Sequence, residues 1–345
     1  MKMDMTGWKN SIFASPKKTA VPVMTYPGLQ LIGKSVIDMV TIGEVQYNCV
    51  KALSEKYHAV GAITLIMDLS VEAEAFGSPV NFSANEIPTV SKRVIDSFEQ
   101  VVNLKVPAIG DGRTKIHLNA ARLAAENIAT RPVFGGIIGP YSLAGRLYDI
   151  TEMMTAILIE PEGAHELLSV CTSFLKEYAL AYKNAGCNGV LIAEPAAGLL
   201  ADYQCEEFSS QYVKQIVDFV QDDNFMVVLH NCGNTVSLVE TMLGTGAAGY
   251  HFGNAVDMCD ILPQVPSNRL VFGNLDPAGV IKNGTPETIK AKTKELLTRT
   301  SQYNNFVISS GCDIPPGTTI QNIDAFFEAI AEFNKNGFNN SISNE

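Results

Sequence analysis

The chain has 345 residues, 46% of them hydrophobic and 18% charged, with a formal net charge of −11 at pH 7, the composition of a globular protein with a sizeable core in one large domain or two ordinary ones. That acidic balance, without any concentrated run of Lys and Arg, argues against a nucleic-acid partner. No apolar window approaches the roughly 18 residues of a membrane span, no apolar run follows the N-terminal lysines to form a secretory signal, and seven scattered cysteines fit reduced thiols in the cytoplasm.

Residues 20–25, AVPVMT, read as a first short strand ended by Tyr26-Pro27-Gly28. A helical pattern over 35–57 follows, and a second strand, Ala62 to Met67, ends at Asp68. Residues 78–130 form an excursion with turns and a helix near 116–129. The third strand, Val133 to Ile138, runs into GPYSLAG, which opens a long helical tract closed near Gly186. The fourth strand, Gly189 to Ala193, ends in Glu194-Pro195; a helix over 207–221 leads to the fifth, Met226 to Leu229, and the turn His230-Asn231-Cys232-Gly233. A helix near 235–243 precedes the sixth strand, Ala247 to Phe252, with His251 near its end. The seventh, Leu270 to Phe272, enters GNLDP; the eighth, Phe306 to Ser309, enters Gly311-Cys312. An amphipathic helix over 320–334 and a polar tail at 336–345, expected to fray, complete the chain.

Eight strand-like runs alternating with helices indicate an α/β fold, a single (β/α)8 TIM barrel spanning 1–345 with an insertion after the second strand. A doubly wound open sheet is the competitor, but no G-x-G-x-x-G follows the first strand. A barrel gathers its chemistry at the C-terminal strand ends, where Asp68, Glu194, His230, Cys232, His251, Asp276 and Cys312 all fall.

Among these, His230 and Cys232 lie two residues apart and point to one side if the segment is extended, which makes half a zinc site. Cys312, also just past an apolar run, is the candidate for the rest. One His and two Cys leave a tetrahedral zinc with an open position, the mark of a catalytic ion. The alternative is a chance H-x-C in a chain with five His and seven Cys, since a buried Cys usually behaves as a small hydrophobe. Cys49, Cys171, Cys187, Cys205 and Cys259 have no ligand spacing and read as structural.

The motifs GPYSLAG at 139–145, GNLDP at 273–277 and GCDIPPGT at 311–318 resemble the uroporphyrinogen decarboxylase superfamily. Within it, HNCG at 230–233 with Cys312, and DLSVEAEAFG at 68–77, are similar to the zinc-dependent branch, the methylcobamide:coenzyme M methyltransferases and related corrinoid-dependent enzymes. The resemblance implies zinc held by His230, Cys232 and Cys312. It also implies methyl transfer from a methylated corrinoid protein to a small thiol acceptor such as coenzyme M, with tetrahydrofolate as another candidate acceptor. The chain has no D-x-H-x-x-G, so the corrinoid is expected on a partner protein.

Three further strand-end residues are candidates for catalytic roles: Glu194 as a fourth ligand or substrate contact, His251 as a support for the metal or a substrate contact, and Asp68, which matches the superfamily's catalytic aspartate. The bland readings are a Glu194–Arg ion pair, a satisfied core histidine at 251, and a turn-forming Asp276. Two other functions stay open. One is decarboxylation as in the parent superfamily, disfavoured because Thr19 to Gly33 contains no arginine to clamp substrate carboxylates; the other is a non-catalytic corrinoid-protein binding subunit.

Overall fold

The apolar runs become seven parallel strands, numbered here β1 (Ile63–Thr64), β2 (Val133–Ile138), β3 (Gly189–Ala193), β4 (Met226–Asn231), β5 (Gly249–Phe252), β6 (Leu270–Leu275) and β7 (Phe306–Ser310). The computed structural model describes residues 3–342, with side chains as far as residue 335. The strands hydrogen-bond in strictly sequential order, each parallel to the last. All residues of β1 to β7 are buried, as a parallel sheet covered on both faces requires, and this is why the runs are continuous instead of alternating.

The sheet curls, and its two faces belong to different cores. Alternate residues Phe134, Leu191, Met226, Val228, Phe272 and Val307 fill the inside, while Val190, Ile192, Val227, Leu229 and Val271 pack outward against the helices. Burying each such large apolar side chain stabilises the fold by about 1.5–3 kcal/mol. A helix at Met5–Ala14, not foreseen from the sequence, adds Met5 and Ile12 to the inner cluster, with Trp8 packed against Phe134 at 6.2 Å between ring centroids. It is tied down where Met5 N–H donates to Asp223 O at 2.8 Å, just before β4 begins.

The expected first strand departs most from expectation. Residues 21–25 form no strand, because Pro22 has no N–H to give a ladder. Ala20 alone makes isolated parallel bridges, one to Val60 beside β1 and one to Ile308 in β7. Val21 N–H donates to Ile308 O at 2.9 Å, and Gly61 N–H donates to Ala20 O at 2.8 Å. The single residue Ala20 therefore touches both margins of the sheet.

The helix expected over 35–57 is two helices, Val36–Thr41 and Gly43–Lys56, the first started by a Ser35/Asp38 capping box. The tract after GPYSLAG is three: Pro140–Tyr148, Ile150–Ile159 and Pro161–Asn184. Asp149 breaks the first pair with a φ of 97°, and Pro161, which has no N–H to bond back, starts the last. Residues 78–130 hold a small antiparallel pair (Val80–Asn81 with Thr89–Val90), a 3-10 turn at Phe98–Asn103 and the helix Thr114–Asn127. The final helix is Ile320–Ile342, so residues 336–342 of the tail expected to fray continue it as helix, and 343–345 lie outside the described residues. Among the described residues no helix is long and apolar enough to cross a membrane.

Candidate functional site

β4 extends two residues beyond its apolar run, so His230 and Asn231 are still in the sheet and Cys232 is the first residue past it. Cys312 stands two residues past β7. In a flat sheet, three strand steps would hold these ends about 14 Å apart. In this curled sheet one donor atom from each of His230, Cys232 and Cys312 lies within 4.8 Å of the other two. Zinc needs ligands at about 2.0–2.3 Å from a common centre, which fits this spacing. Glycine makes the approach possible: a Cβ on Gly253, after β5, would sit 2.5 Å from Cys232 Cα and 2.8 Å from its Cβ.

The electrostatics of the donors also suit a cation. Contact with Cys312 and His230 holds the Cys232 thiol below its ordinary range, while the neighbouring Cys232 and burial push Cys312 up. Two sulfurs this close carry one negative charge readily and a second only when a positive ion joins them. Elsewhere burial alone pushes thiols up, Cys49 and Cys187 to about 12, which fits their structural reading. Nε2 of His230 is buried and has no hydrogen-bond partner among the described residues. An orphaned ring nitrogen beside two thiols is the donor a metal would use.

His251 lies directly across from His230 in the β4/β5 register. The two Nδ1 atoms are 2.7 Å apart, His251 Nε2 is 2.9 Å from Ser309 Oγ, and Ser309 Oγ–H donates to Val21 O at 2.7 Å. Burial, then the adjacent His230, holds His251 well below the usual histidine range. Ser309 is not conspicuous in the sequence; its signal is the first of two hydroxyls, with Ser310, that end the otherwise apolar run FVISS.

Glu194 and Asp68 stand outside the three-donor group. Glu194 follows β3, its N–H donating to His230 O at 2.8 Å. Its carboxylate accepts from Tyr141 and Ser142 N–H at 3.1 and 2.6 Å, at the start of the Pro140–Tyr148 helix. The partner is thus a helix end, not an arginine. Burial raises it to about 7 against those hydrogen bonds. Asp68 accepts from Ser70 Oγ–H at 2.6 Å and is ion-paired with Arg113, which also reaches Glu74 at 2.5 Å. Asp276 accepts from Ala278 and Gly279 N–H at 3.0 and 2.8 Å, which is turn chemistry. Beside Glu194, at the same end of the sheet, opens a cleft of about 430 Å³ lined by Lys92, Arg93, Ser142, Arg146, Pro195 and Leu199 among others. Arg131 is remote from this cleft, donating to the Tyr57 and Val60 carbonyls at the opposite end of the sheet.

The uroporphyrinogen decarboxylase (URO-D) profile matches residues 29–333. This chain belongs to that family. Within reach of the family, the chain is 29% identical over 297 residues to the methylcobamide:CoM methyltransferase MtbA of Methanosarcina acetivorans, covering 81% of this chain and 83% of the relative. It is 26% identical over 289 residues to a uroporphyrinogen decarboxylase of Actinobacillus pleuropneumoniae, covering 81% and 80%. A solved methyltransferase from Methanosarcina mazei superposes with a TM-score of 0.85 at 23% identity, over 96% of this chain and 99% of that one. At that identity the superposition speaks for the family fold alone.

Proposed function

We propose that this URO-D family member is a zinc-dependent methyltransferase that takes a methyl group from a methylated corrinoid protein and gives it to a small thiol such as coenzyme M. The observation that carries the reading is the convergence of His230, Cys232 and Cys312, with donor atoms within 4.8 Å and a buried, unpartnered His230 Nε2. The relatives named as methylcobamide:CoM methyltransferases support it. We read the curled sheet as a closed (β/α)8 barrel in which segment 20–25 is the eighth stave, with 78–130 as an insertion. The barrel mouth would then receive the corrinoid protein, and the cytoplasm is the compartment this chemistry fits.

When bound, zinc supplies a Lewis acid that lowers the pKa of an incoming thiol. The chain's own residues set its character. Cys232 and Cys312 bring two negative charges, which keep the acceptor sulfur electron-rich and nucleophilic toward a cobalt-bound methyl group. His230 would be the third donor, and a set of three protein donors would let the ion take a substrate thiol as well. Glu194 is one strand away; the Tyr141 and Ser142 N–H groups each take one lone pair of its carboxylate, and the remaining lone pairs would serve a ligand or substrate contact. Asp68, committed to Arg113 and Ser70, serves the site by holding the strand end in place. Arg146, which lines the cleft with Lys92 and Arg93, is a cation that would meet an anionic group such as a sulfonate.

The test is metal content and methyl transfer together. The purified protein is expected to hold about one zinc per chain and to demethylate methylcobalamin with coenzyme M; Cys312→Ala should lose both the zinc and at least about a hundredfold in rate. Undiminished transfer by Cys312→Ala refutes the role of the metal. Zinc without transfer to any acceptor points to a binding subunit, and transfer-inactive, zinc-free protein that decarboxylates a porphyrinogen returns the chain to the parent activity.

A further inference from the structure

A histidine binds a metal through a bare ring nitrogen, and which nitrogen is bare depends on the hydrogen bond made by the other. Here the choice can be traced from a fixed end. The Val21 carbonyl only accepts, so Ser309 Oγ–H must donate to it across 2.7 Å. With its proton spent, Ser309 Oγ accepts from His251 Nε2 at 2.9 Å, which places the His251 proton on Nε2 and leaves its Nδ1 bare. That bare Nδ1 lies 2.7 Å from His230 Nδ1, so the proton between them belongs to His230. A second contact agrees independently: His230 Nδ1 is also 3.3 Å from the His251 carbonyl oxygen, again only an acceptor. His230 is left with a bare Nε2, the atom that has no partner among the described residues.

We propose that His251 and Ser309 are positioning residues that lock His230 into the tautomer whose bare Nε2 faces Cys232 and Cys312, with the Val21 carbonyl as the fixed end of the relay. All four residues are buried, with exposures of 4% or less, so no solvent exchanges into the chain of bonds. If Ser309 lost its hydroxyl, His251 would be free to carry its proton on Nδ1. It would then donate to His230 Nδ1 and drive the His230 proton onto the metal-facing nitrogen. The inference concerns support of the donor and rests on the proposed metal-binding reading for its functional meaning, though not for its geometry.

The experiment is ¹⁵N–¹H correlation spectroscopy of histidine-labelled full-length protein, which has five histidines to assign, joined to zinc affinity by chelator competition. Wild type should show His230 protonated at Nδ1 and His251 protonated at Nε2; a His251 protonated at Nδ1 overturns the relay. Ser309→Ala should mix the tautomers and weaken zinc about 10- to 100-fold, while Ser309→Thr, which keeps the hydroxyl, should restore both. Equal zinc affinity in all three proteins also overturns it. If wild type holds no zinc, the proposed function falls, and the metal-free tautomer spectrum still decides the relay.

Discussion

At the scale of single residues, the candidate centre depends on one side chain that is not there. Gly253 lets the turn after β4 press against the end of β5, and any Cβ would collide with the Cys232 backbone. Gly253→Ala is therefore expected to displace Cys232, reducing bound zinc by metal analysis and lowering the melting temperature together. A substitution tolerated on both counts would mean that the turn has slack. His230, Cys232 and Cys312 were legible in the sequence because an H-x-C ending an apolar run is a local pattern and Cys312 repeats the strand-then-glycine context. Ser309 and the relay were not, because a tautomer is decided by partners that lie far apart in the chain, such as Val21 and Ser309.

At the scale of elements, strand ends were easier to read than helix breaks. Seven of the eight expected strands appear, since a short buried apolar run between turns leaves few alternatives, but their limits shift: Ala62 to Met67 shrinks to Ile63–Thr64, and Leu270 to Phe272 extends to Leu275. The helical tract over 140–184 reads as one in the sequence because its breaks are a left-handed Asp149 and a helix-starting Pro161, neither of which interrupts the apolar periodicity. Asp68 illustrates the limit of reading strand ends as chemistry. Its carboxylate joins the strand end to Arg113, the residue that precedes the Thr114–Asn127 helix, so it also fastens the excursion to the sheet. Arg113→Met should leave Asp68 buried without its cation and cost about 3–5 kcal/mol of stability in urea titrations. A loss below about 1 kcal/mol would show that the pair is dispensable.

At the scale of the whole molecule, buried titratable groups shape the response to pH. Burial raises Glu72 from its ordinary 4.5 to about 8, with the Ile138 N–H pulling the other way. Between those values the native state holds a proton the unfolded chain has lost, so stability falls as pH rises through this window. His117 works from the acid side: burial lowers it from 6.5 to about 4, so the unfolded chain binds a proton first and stability falls as pH drops through that range. Glu72→Gln keeps the oxygen that accepts from Ile138 N–H at 3.0 Å. Its melting temperature should fall less than that of wild type between about pH 5 and about pH 8.5, and parallel curves would show that Glu72 does not titrate there.

The double bridge of Ala20 bears on how the molecule comes into being. Its neighbour Val21 accepts from a hydroxyl 288 positions away, so the two margins of the sheet cannot be joined until the chain has been synthesised as far as Ser309. Contacts that distant form late, after local helices and adjacent strands. A chain stalled on the ribosome before Phe306 has neither the last strand nor the second cysteine of the cluster, whatever it has built upstream. On the proposed reading of the cluster, metal capture would wait for β7 to be in place, so that uptake of the ion would report that the two margins of the sheet have met.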